Sequence, residues 1–184
     1  MTKTATRASM AVLALALSAP ALRAQDHHAH DQGHVAIPAA LRHEHEEIQH
    51  ALQEAVKAPR EVGAAARDLQ RVLTPHFERE EQIALPPLGV LQRLIEREAV
   101  SDLEAWLLPM SDSLRAELPR MLAEHKVIRE AVQKLERTAV AAHDEKVARL
   151  ARTLAVHAQA EEEMYYPMAV LAGEIVRARL KQAH

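Results

Sequence analysis

The chain has 184 residues, with 26 acidic and 23 basic side chains, 12 histidines, no cysteine and a formal net charge of -3. Without cysteine it cannot form disulfides, zinc–thiolate sites, iron–sulfur clusters or a thiol nucleophile. Few glycines and aromatic residues favour helices over a β-sandwich or a phosphate-binding glycine loop. The charge gives no reason to expect nucleic acid as a partner, so the histidines are the feature to explain.

Residues 1–24 have the layout of a secretory signal peptide. Lys3 and Arg7 precede an apolar run from Met10 to Leu17, and small residues follow up to Ala24. The run is too short to span a bilayer, and this order of segments is typical of a cleaved export signal. We therefore expect cleavage after Ala24 and a periplasmic protein without further membrane association. An uncleaved membrane anchor is the alternative.

Residues 25–35 are polar and carry four histidines, at positions 27, 28, 30 and 34. Their low apolar content predicts a flexible tail, since such a segment cannot bury enough surface to fold. The tail is interpreted either as a loose metal-capturing segment or as a solvated segment in which the histidines have no role.

Residues 36–180 contain an internal duplication. The segment 41–56 resembles 122–135, and the segment 74–91 resembles 155–172, at offsets of 80 and 81 residues. Each unit has the pattern helix–loop–helix and cannot bury its apolar face alone. Two units together predict an all-α domain, an antiparallel up-down four-helix bundle.

Apolar periodicity and the positions of proline locate four helices, at about residues 38–57, 60–85, 118–140 and 144–179. Pro75 is expected to kink the second helix or to restart it with Thr74 as its cap. The fourth helix is expected to bend at Pro167 or Gly173.

The connection between the second and third helices is the least regular part of the sequence. Residues 101–104 read Ser-Asp-Leu-Glu, the pattern of a capping box. This pattern predicts a short connecting helix that carries Trp106.

Helical phase separates the histidines of the predicted helices into two groups. Those at positions 43 and 50 lie on a polar stripe and those at 143 and 184 at chain or helix ends, so all four are expected to be solvated. Four other histidines and two glutamates interrupt the apolar stripes of four different helices: His45, His76 with Glu80, His125, and His157 with Glu161.

These six inward-facing side chains predict a metal site. A buried carboxylate is costly unless it is paired or bound to a metal, and the stripes hold no lysine or arginine near Glu80 and Glu161. Imidazole and carboxylate suit iron, zinc, manganese and nickel, and open coordination without thiolate favours iron over a closed zinc site. Two carboxylates could bridge two ions that each bind two imidazoles.

The same residues resemble the motifs of hemerythrin-like proteins with the HHE cation-binding domain. The matching segments are His45 with Glu46-Glu47-Ile48, HFEREE at 76–81, His125 with Lys126-Val127-Ile128, and HAQAEE at 157–162. The resemblance covers about residues 36–175 and implies a four-helix bundle with a non-haem di-iron centre. Carried over by motif position, the ligands would be His45, His76, Glu80, His125, His157 and Glu161.

One position departs from the family pattern. The fullest sites of this family have a second histidine one turn from the first on the third helix, but the residues four positions from His125 are Met121 and Arg129. A fifth histidine is therefore missing or comes from elsewhere.

Three neighbouring residues are assigned secondary roles. Tyr165, one turn past Glu161, is expected to extend the ligand stripe, either close to the metal or as packing with a satisfied hydroxyl. Glu81 and Glu162 are expected to point away from the metal or to bind a ligand histidine.

The sequence thus predicts a metal-binding protein with two iron ions per chain, with zinc or manganese possible, that binds or reacts with O2, peroxide or NO. The alternative is an extracytoplasmic buffer or chaperone for iron or another transition metal. An iron-dependent enzyme is the weakest hypothesis, because no substrate pocket beyond the metal is evident from the sequence. The oligomeric state is left open.

Overall fold

The computed structural model describes residues 37–183, and all regular structure in that range is helical. The α-helices are α1 (Ala39–Val56), α2 (Arg60–Ile83), α3 (Leu91–Ile95), α4 (Glu104–Ala141), α5 (Glu145–Ala160) and α6 (Tyr166–Gln182). Short 3-10 helices at Pro86–Val90 and Ser101–Leu103 flank α3, and a π-helical turn at Glu161–Tyr165 joins α5 to α6. None of these helices has the length and hydropathy needed to cross a membrane. The predicted signal peptide, the histidine-rich tail and His184 lie outside the described residues.

The predicted four-helix bundle is confirmed. Helix α1 packs against α2 and α5, and α4 packs against the same two helices, which closes the four-membered arrangement. Apolar residues at helical spacing, among them Ile48 and Leu52 on α1 and Ile128 and Val132 on α4, are buried between the helices. Each such side chain contributes about 1.5–3 kcal/mol when it is fully removed from water, so this apolar contact holds the four helices at fixed distances.

Two apolar clusters enclose the middle of the bundle. One contains Leu73 of α2 and Ile128 of α4, and the other contains Ile83 of α2 and Met121 of α4. Along both helices the predicted ligands fall between the two clusters. The polar residues are therefore shielded from water on both sides by close-packed apolar side chains.

The third bundle helix is longer than predicted. Helix α4 begins at Glu104, not near Leu118, and continues through Pro109 and Pro119. Each proline removes one backbone hydrogen bond, but both lie at exposed positions, while residues such as Leu114 on the opposite face are buried. Packing of that face keeps the helix continuous where local sequence rules predict a start.

The predicted capping box at residues 101–104 is wrong. Neither the 3-10 helix Ser101–Leu103 nor α4 has a side-chain cap, and Trp106 lies in the first turn of α4 rather than on a separate connecting helix. The expected restart at Thr74 is also absent, because α2 runs through Pro75 without ending.

The fourth bundle segment is interrupted at the π-helical turn and not at Pro167 or Gly173. Proline has no N–H, and its ring collides with the carbonyl group four residues earlier, which here is that of Glu163. The backbone N–H of Tyr166 bonds back to the carbonyl of Glu161, five residues earlier, so the turn contains one residue more than an α-helical turn. Such turns occur frequently at functional sites.

Candidate metal centre

The six predicted ligands meet in the middle of the bundle. They come from all four sides of it: His45 from α1, His76 and Glu80 from α2, His125 from α4, His157 from α5 and Glu161 from the first residue of the π-helical turn. Each of the six is at most 3% exposed. The spacing of four residues places each His/Glu pair on one helix face, as the sequence pattern indicates.

The donor atoms form two groups that share one residue. One group contains His76, Glu80, His125 and Glu161, and the other contains His45, His157 and Glu161. Within each group one atom of every residue lies within 4.8 Å of the others. The bundle thus holds two adjacent sets of donors, each with two imidazoles.

Both buried carboxylates lie between the two histidine pairs. Oε1 of Glu161 is 2.9 Å from Nε2 of His157, while its Oε2 is 3.5 Å from Nε2 of His125. Oε1 of Glu80 is 3.3 Å from Nε2 of His76, while its Oε2 is 3.9 Å from Nε2 of His45. Each glutamate therefore directs one oxygen towards one pair and the other oxygen towards the other pair.

Several of these atoms lack a hydrogen-bond partner within the described residues. Those that face the donor groups are Nε2 of His45, Nε2 of His157, Oε2 of Glu80 and Oε1 of Glu161. A buried polar atom left unpaired costs about 1–3 kcal/mol. These atoms all face the centre of the bundle, where they lie close to one another without forming hydrogen bonds. Donor atoms that approach without hydrogen bonding fit a site built for a cation, so the residues present suit a metal with nitrogen and oxygen ligands.

An outer ring of four glutamates holds the histidines from behind. The Nδ1 atoms of His76 and His125 each lie 2.8 Å from a carboxylate oxygen, and those of His45 and His157 each lie 3.2 Å from one. The partners, in the same order, are Glu124, Glu162, Glu81 and Glu44. A carboxylate on Nδ1 orients the ring and leaves Nε2 for the metal.

Two members of this ring were missed by the sequence analysis. Glu81 and Glu162 match the second of their two predicted roles, but Glu44 and Glu124 were not singled out. Each directly precedes a candidate ligand, His45 or His125, and the two glutamates occupy equivalent positions in the duplication. The repeat itself was therefore the signal that could have identified them.

Replacing Glu124 by glutamine is expected to weaken metal binding by about 10–100-fold, the usual cost of losing such a partner. The amide no longer carries the charge that holds the His76 ring. Glu130→Gln is the matched control, because Glu130 lies exposed on the same helix. Competition titration with a chromogenic chelator measures both affinities, and equal values for the two variants would contradict the assigned role.

Charges at the centre shift the pKa values of the metal-free protein strongly. Burial opposes the charged form of both His76 and His157, but contacts with Glu80 and Glu161 respectively outweigh it and raise each pKa from 6.5 to about 9. Burial and the nearby Glu161 charge raise the pKa of Glu80. Burial opposes the charge of Glu161 as well, yet His125, His157 and His45 bring its pKa well below its ordinary value. Protons on His76 and His157 therefore compete with a cation for these two rings.

The metal-free protein is expected to lose stability as the pH rises from 6.5 to 9. A histidine whose folded pKa exceeds its unfolded pKa stabilises the fold fully below the unfolded value, and this contribution is lost as the pH passes through the folded value. For His76 and His157 these values are 6.5 and about 9. Urea unfolding of chelator-treated protein at both pH values measures the effect, and His157→Gln should reduce it. Unchanged or rising stability would contradict the prediction.

The tyrosine beside the centre is Tyr166 and not Tyr165. Tyr165 is only half-buried, whereas Tyr166 is fully buried and its hydroxyl donates a hydrogen bond to Glu80. One regular α-helical turn of four residues, counted from Glu161, leads to Tyr165. The π-helical turn adds one residue, so the position that faces the centre moves from 165 to 166.

The remaining predicted positions are peripheral. His43, His50 and His143 are exposed, as their helical phase indicates. Met121 is buried in the same apolar cluster as Tyr166, and Arg129 binds the outer glutamate Glu162. No fifth histidine approaches the donor groups among the described residues.

The chain forms an all-helical bundle whose interior holds two histidine pairs and two carboxylates that face both pairs. This arrangement is typical of metal-binding helix bundles. The sequence matches the family model described as hemerythrin HHE cation binding domain over residues 36–169. The chain belongs to this family and is a cation-binding protein. No curated protein and no solved structure matches it in the corresponding comparisons.

Proposed function

We propose that the chain is a non-haem di-iron protein that binds or reacts with O2 or a related small ligand such as peroxide or NO. The observation that carries this proposal is the position of the two buried glutamates. Each of them directs one oxygen to the pair His45/His157 and the other to the pair His76/His125. Two cations that share these carboxylates would satisfy the unpaired atoms, whereas one cation would leave part of them unsatisfied.

The donor set favours iron and leaves room for a ligand. Each proposed ion would be held by two imidazole nitrogens and by oxygens of Glu80 and Glu161, which are fewer donors than the six ligands of an octahedral ion. Thiolate, which would favour a closed zinc or copper site, is absent from the whole sequence. When bound, iron would supply redox chemistry towards O2, peroxide or NO.

The protein supplies orientation and a dry environment. The outer glutamates fix the histidine rings through Nδ1. Phe77 stacks on the ring of His45, with the ring centroids 3.9 Å apart and the planes within 9°. The apolar clusters on either side exclude water, so a small uncharged ligand enters such a site more easily than an ionic substrate.

The proposal is tested by metal analysis and spectroscopy of the protein that lacks residues 1–24. Two irons per chain and iron-dependent near-ultraviolet absorption that changes with O2, azide or NO are the expected results. Protein reconstituted with ferrous iron in air that lacks such bands contradicts the proposal. Loading with zinc in parallel controls for absorption that does not depend on iron.

A second candidate is a metal buffer or chaperone, favoured by the four histidines within residues 25–35. A buffer or chaperone would bind metal ions weakly and exchangeably, with additional ions bound to the tail. Deletion of residues 25–35 should then lower the stoichiometry or the rate of metal uptake, and unchanged values for both remove its support. Turnover of peroxide or NO, measured on the same samples, separates an enzyme from both candidates.

We further propose that the protein works in the periplasm. The support is the order of charged, apolar and small residues in 1–24. Expression in a Gram-negative host, followed by fractionation and mass measurement, should give a periplasmic product that begins at Gln25. A cytoplasmic product with residues 1–24 intact would contradict export.

A further inference from the structure

The hydroxyl of Tyr166 lies among the donor groups of the centre. Its side chain is 0% exposed. The hydroxyl lies 3.1 Å from Nε2 of His125 and 3.4 Å from Nε2 of His76, and it donates a hydrogen bond to Oε1 of Glu80. These three residues all belong to the same donor group.

The distances from this hydroxyl are those expected between ligands of one ion. Two donors that each bind the same ion at about 2.0–2.1 Å lie about 3 Å apart. Oε1 of Glu80, a predicted ligand, lies 3.3 Å from Nε2 of His76 and 4.0 Å from Nε2 of His125. The hydroxyl of Tyr166 is closer to His125 than that carboxylate oxygen is, and its distance to His76 is nearly the same, at 3.4 against 3.3 Å.

The backbone directs Tyr166 into this position. The π-helical turn begins at the candidate ligand Glu161 and places Tyr166, five residues later, over the donor group. The ring of Tyr166 also packs against that of His125, with centroids 5.6 Å apart. A side chain fixed by its backbone and by ring packing loses little further freedom when it binds an ion.

The equivalent position in the other half of the centre carries no hydroxyl. The offset that relates His76 to His157 and Glu80 to Glu161 relates Leu85 to Tyr166. Leu85 is buried but carries no donor atom. The duplication therefore produces two histidine pairs that are alike and two surroundings that are chemically different.

We propose that Tyr166 is an additional metal ligand, whose phenolate oxygen binds one of the two ions together with His76, Glu80, His125 and an oxygen of Glu161. It supplies, from α6, the donor that the missing fifth histidine would provide from α4. Binding replaces the O–H bond by an oxygen–metal bond and releases the proton to solvent. A hard anionic oxygen favours iron(III) at this position. The inference rests on the proposed iron centre.

The test is the visible and resonance Raman spectrum of the iron-loaded protein. A phenolate bound to iron(III) produces a visible charge-transfer band whose resonance Raman spectrum contains tyrosine ring modes. We expect both in the wild-type protein and expect Tyr166→Phe to abolish them. Tyr165→Phe is the matched control, because it removes a hydroxyl from the adjacent, half-buried position and should leave both signals unchanged.

Ring-deuterated tyrosine in the wild-type protein provides a measurement that does not depend on how the variant folds. The Raman bands should shift on labelling. Wild-type protein that binds iron and has the near-ultraviolet bands, but no tyrosinate signal, overturns the inference and leaves the proposed function intact. A signal that persists in Tyr166→Phe also overturns it. Failure of the wild-type chain to bind iron overturns the proposed function instead.

Discussion

Replacing Glu161 by glutamine is expected to weaken binding of both proposed metal ions by more than about 100-fold, beyond the upper end of the cost of losing an outer partner. The reason is the central position of this side chain. Its two oxygens face His157 and His125 at 2.9 and 3.5 Å, and Oε1 also lies 3.6 Å from His45. An amide keeps the shape of the carboxylate but offers one neutral oxygen in place of two charged ones, so neither ion retains its full set of ligands. Elemental analysis after gel filtration measures the loss.

Glu163→Gln is the matched control for this variant. Glu163 lies in the same π-helical turn and is exposed, and its side chain accepts a hydrogen bond from Gln159. It should bind metal as the wild type does. If Glu161→Gln also retains the wild-type metal content, Glu161 is not a ligand and the shared-carboxylate arrangement is wrong. Circular dichroism of both metal-free variants shows whether the bundle is intact.

Removal of the metal is expected to lower the melting temperature by roughly 8–16 °C. A ligand at about 1,000 times its Kd stabilises the folded state by about 4 kcal/mol, and each kcal/mol moves the midpoint of a domain of this size by about 2–4 °C. Without a cation the unpaired atoms of His45, His157, Glu80 and Glu161 remain buried. Scanning calorimetry of loaded and chelator-treated protein at one pH measures the shift.

The Glu161→Gln variant is also informative here. Because it cannot hold the ions, its melting temperature should respond little to iron or to chelator. The opposite pattern, a wild-type chain whose melting temperature is the same with and without metal, would mean that the six buried side chains serve only the fold. Replacement of His45 by leucine would then be tolerated or even stabilising.

The sequence alone was sufficient to predict which helix faces carry the candidate ligands, because the helical phase of a residue is a local property. Within a regular helix, spacings of three and four residues place side chains on one face, so His45 was separated from His43 and His50 by counting alone. The same counting failed for Tyr166, where the backbone departs from α-helical geometry. Pro167 indicated that the helix is distorted nearby. The sequence did not indicate that the distortion would lie before the proline and would include the candidate ligand Glu161.

Helix ends were predicted less well because packing decides them. Pro109 and Pro119 each remove a hydrogen bond and suggest a boundary, yet α4 passes through both since its opposite face is buried. Ser101 and Glu104 match a capping pattern, but neither caps a helix. In both places long-range contact outweighs a local preference of about 1 kcal/mol for the cap and about 3 kcal/mol for the proline.

By itself the sequence determined the helical class, the duplication and the six inward-facing ligand candidates, because each depends on composition or on spacing along one helix. Only the tertiary structure decided which atoms meet across helices. Glu44 and Glu124 lie behind His157 and His76. Each buried carboxylate faces both histidine pairs, and Tyr166 rather than Tyr165 lies at the centre. These contacts join residues far apart in the chain, and their geometry depends on the packing of four helices and on one extra residue in a turn.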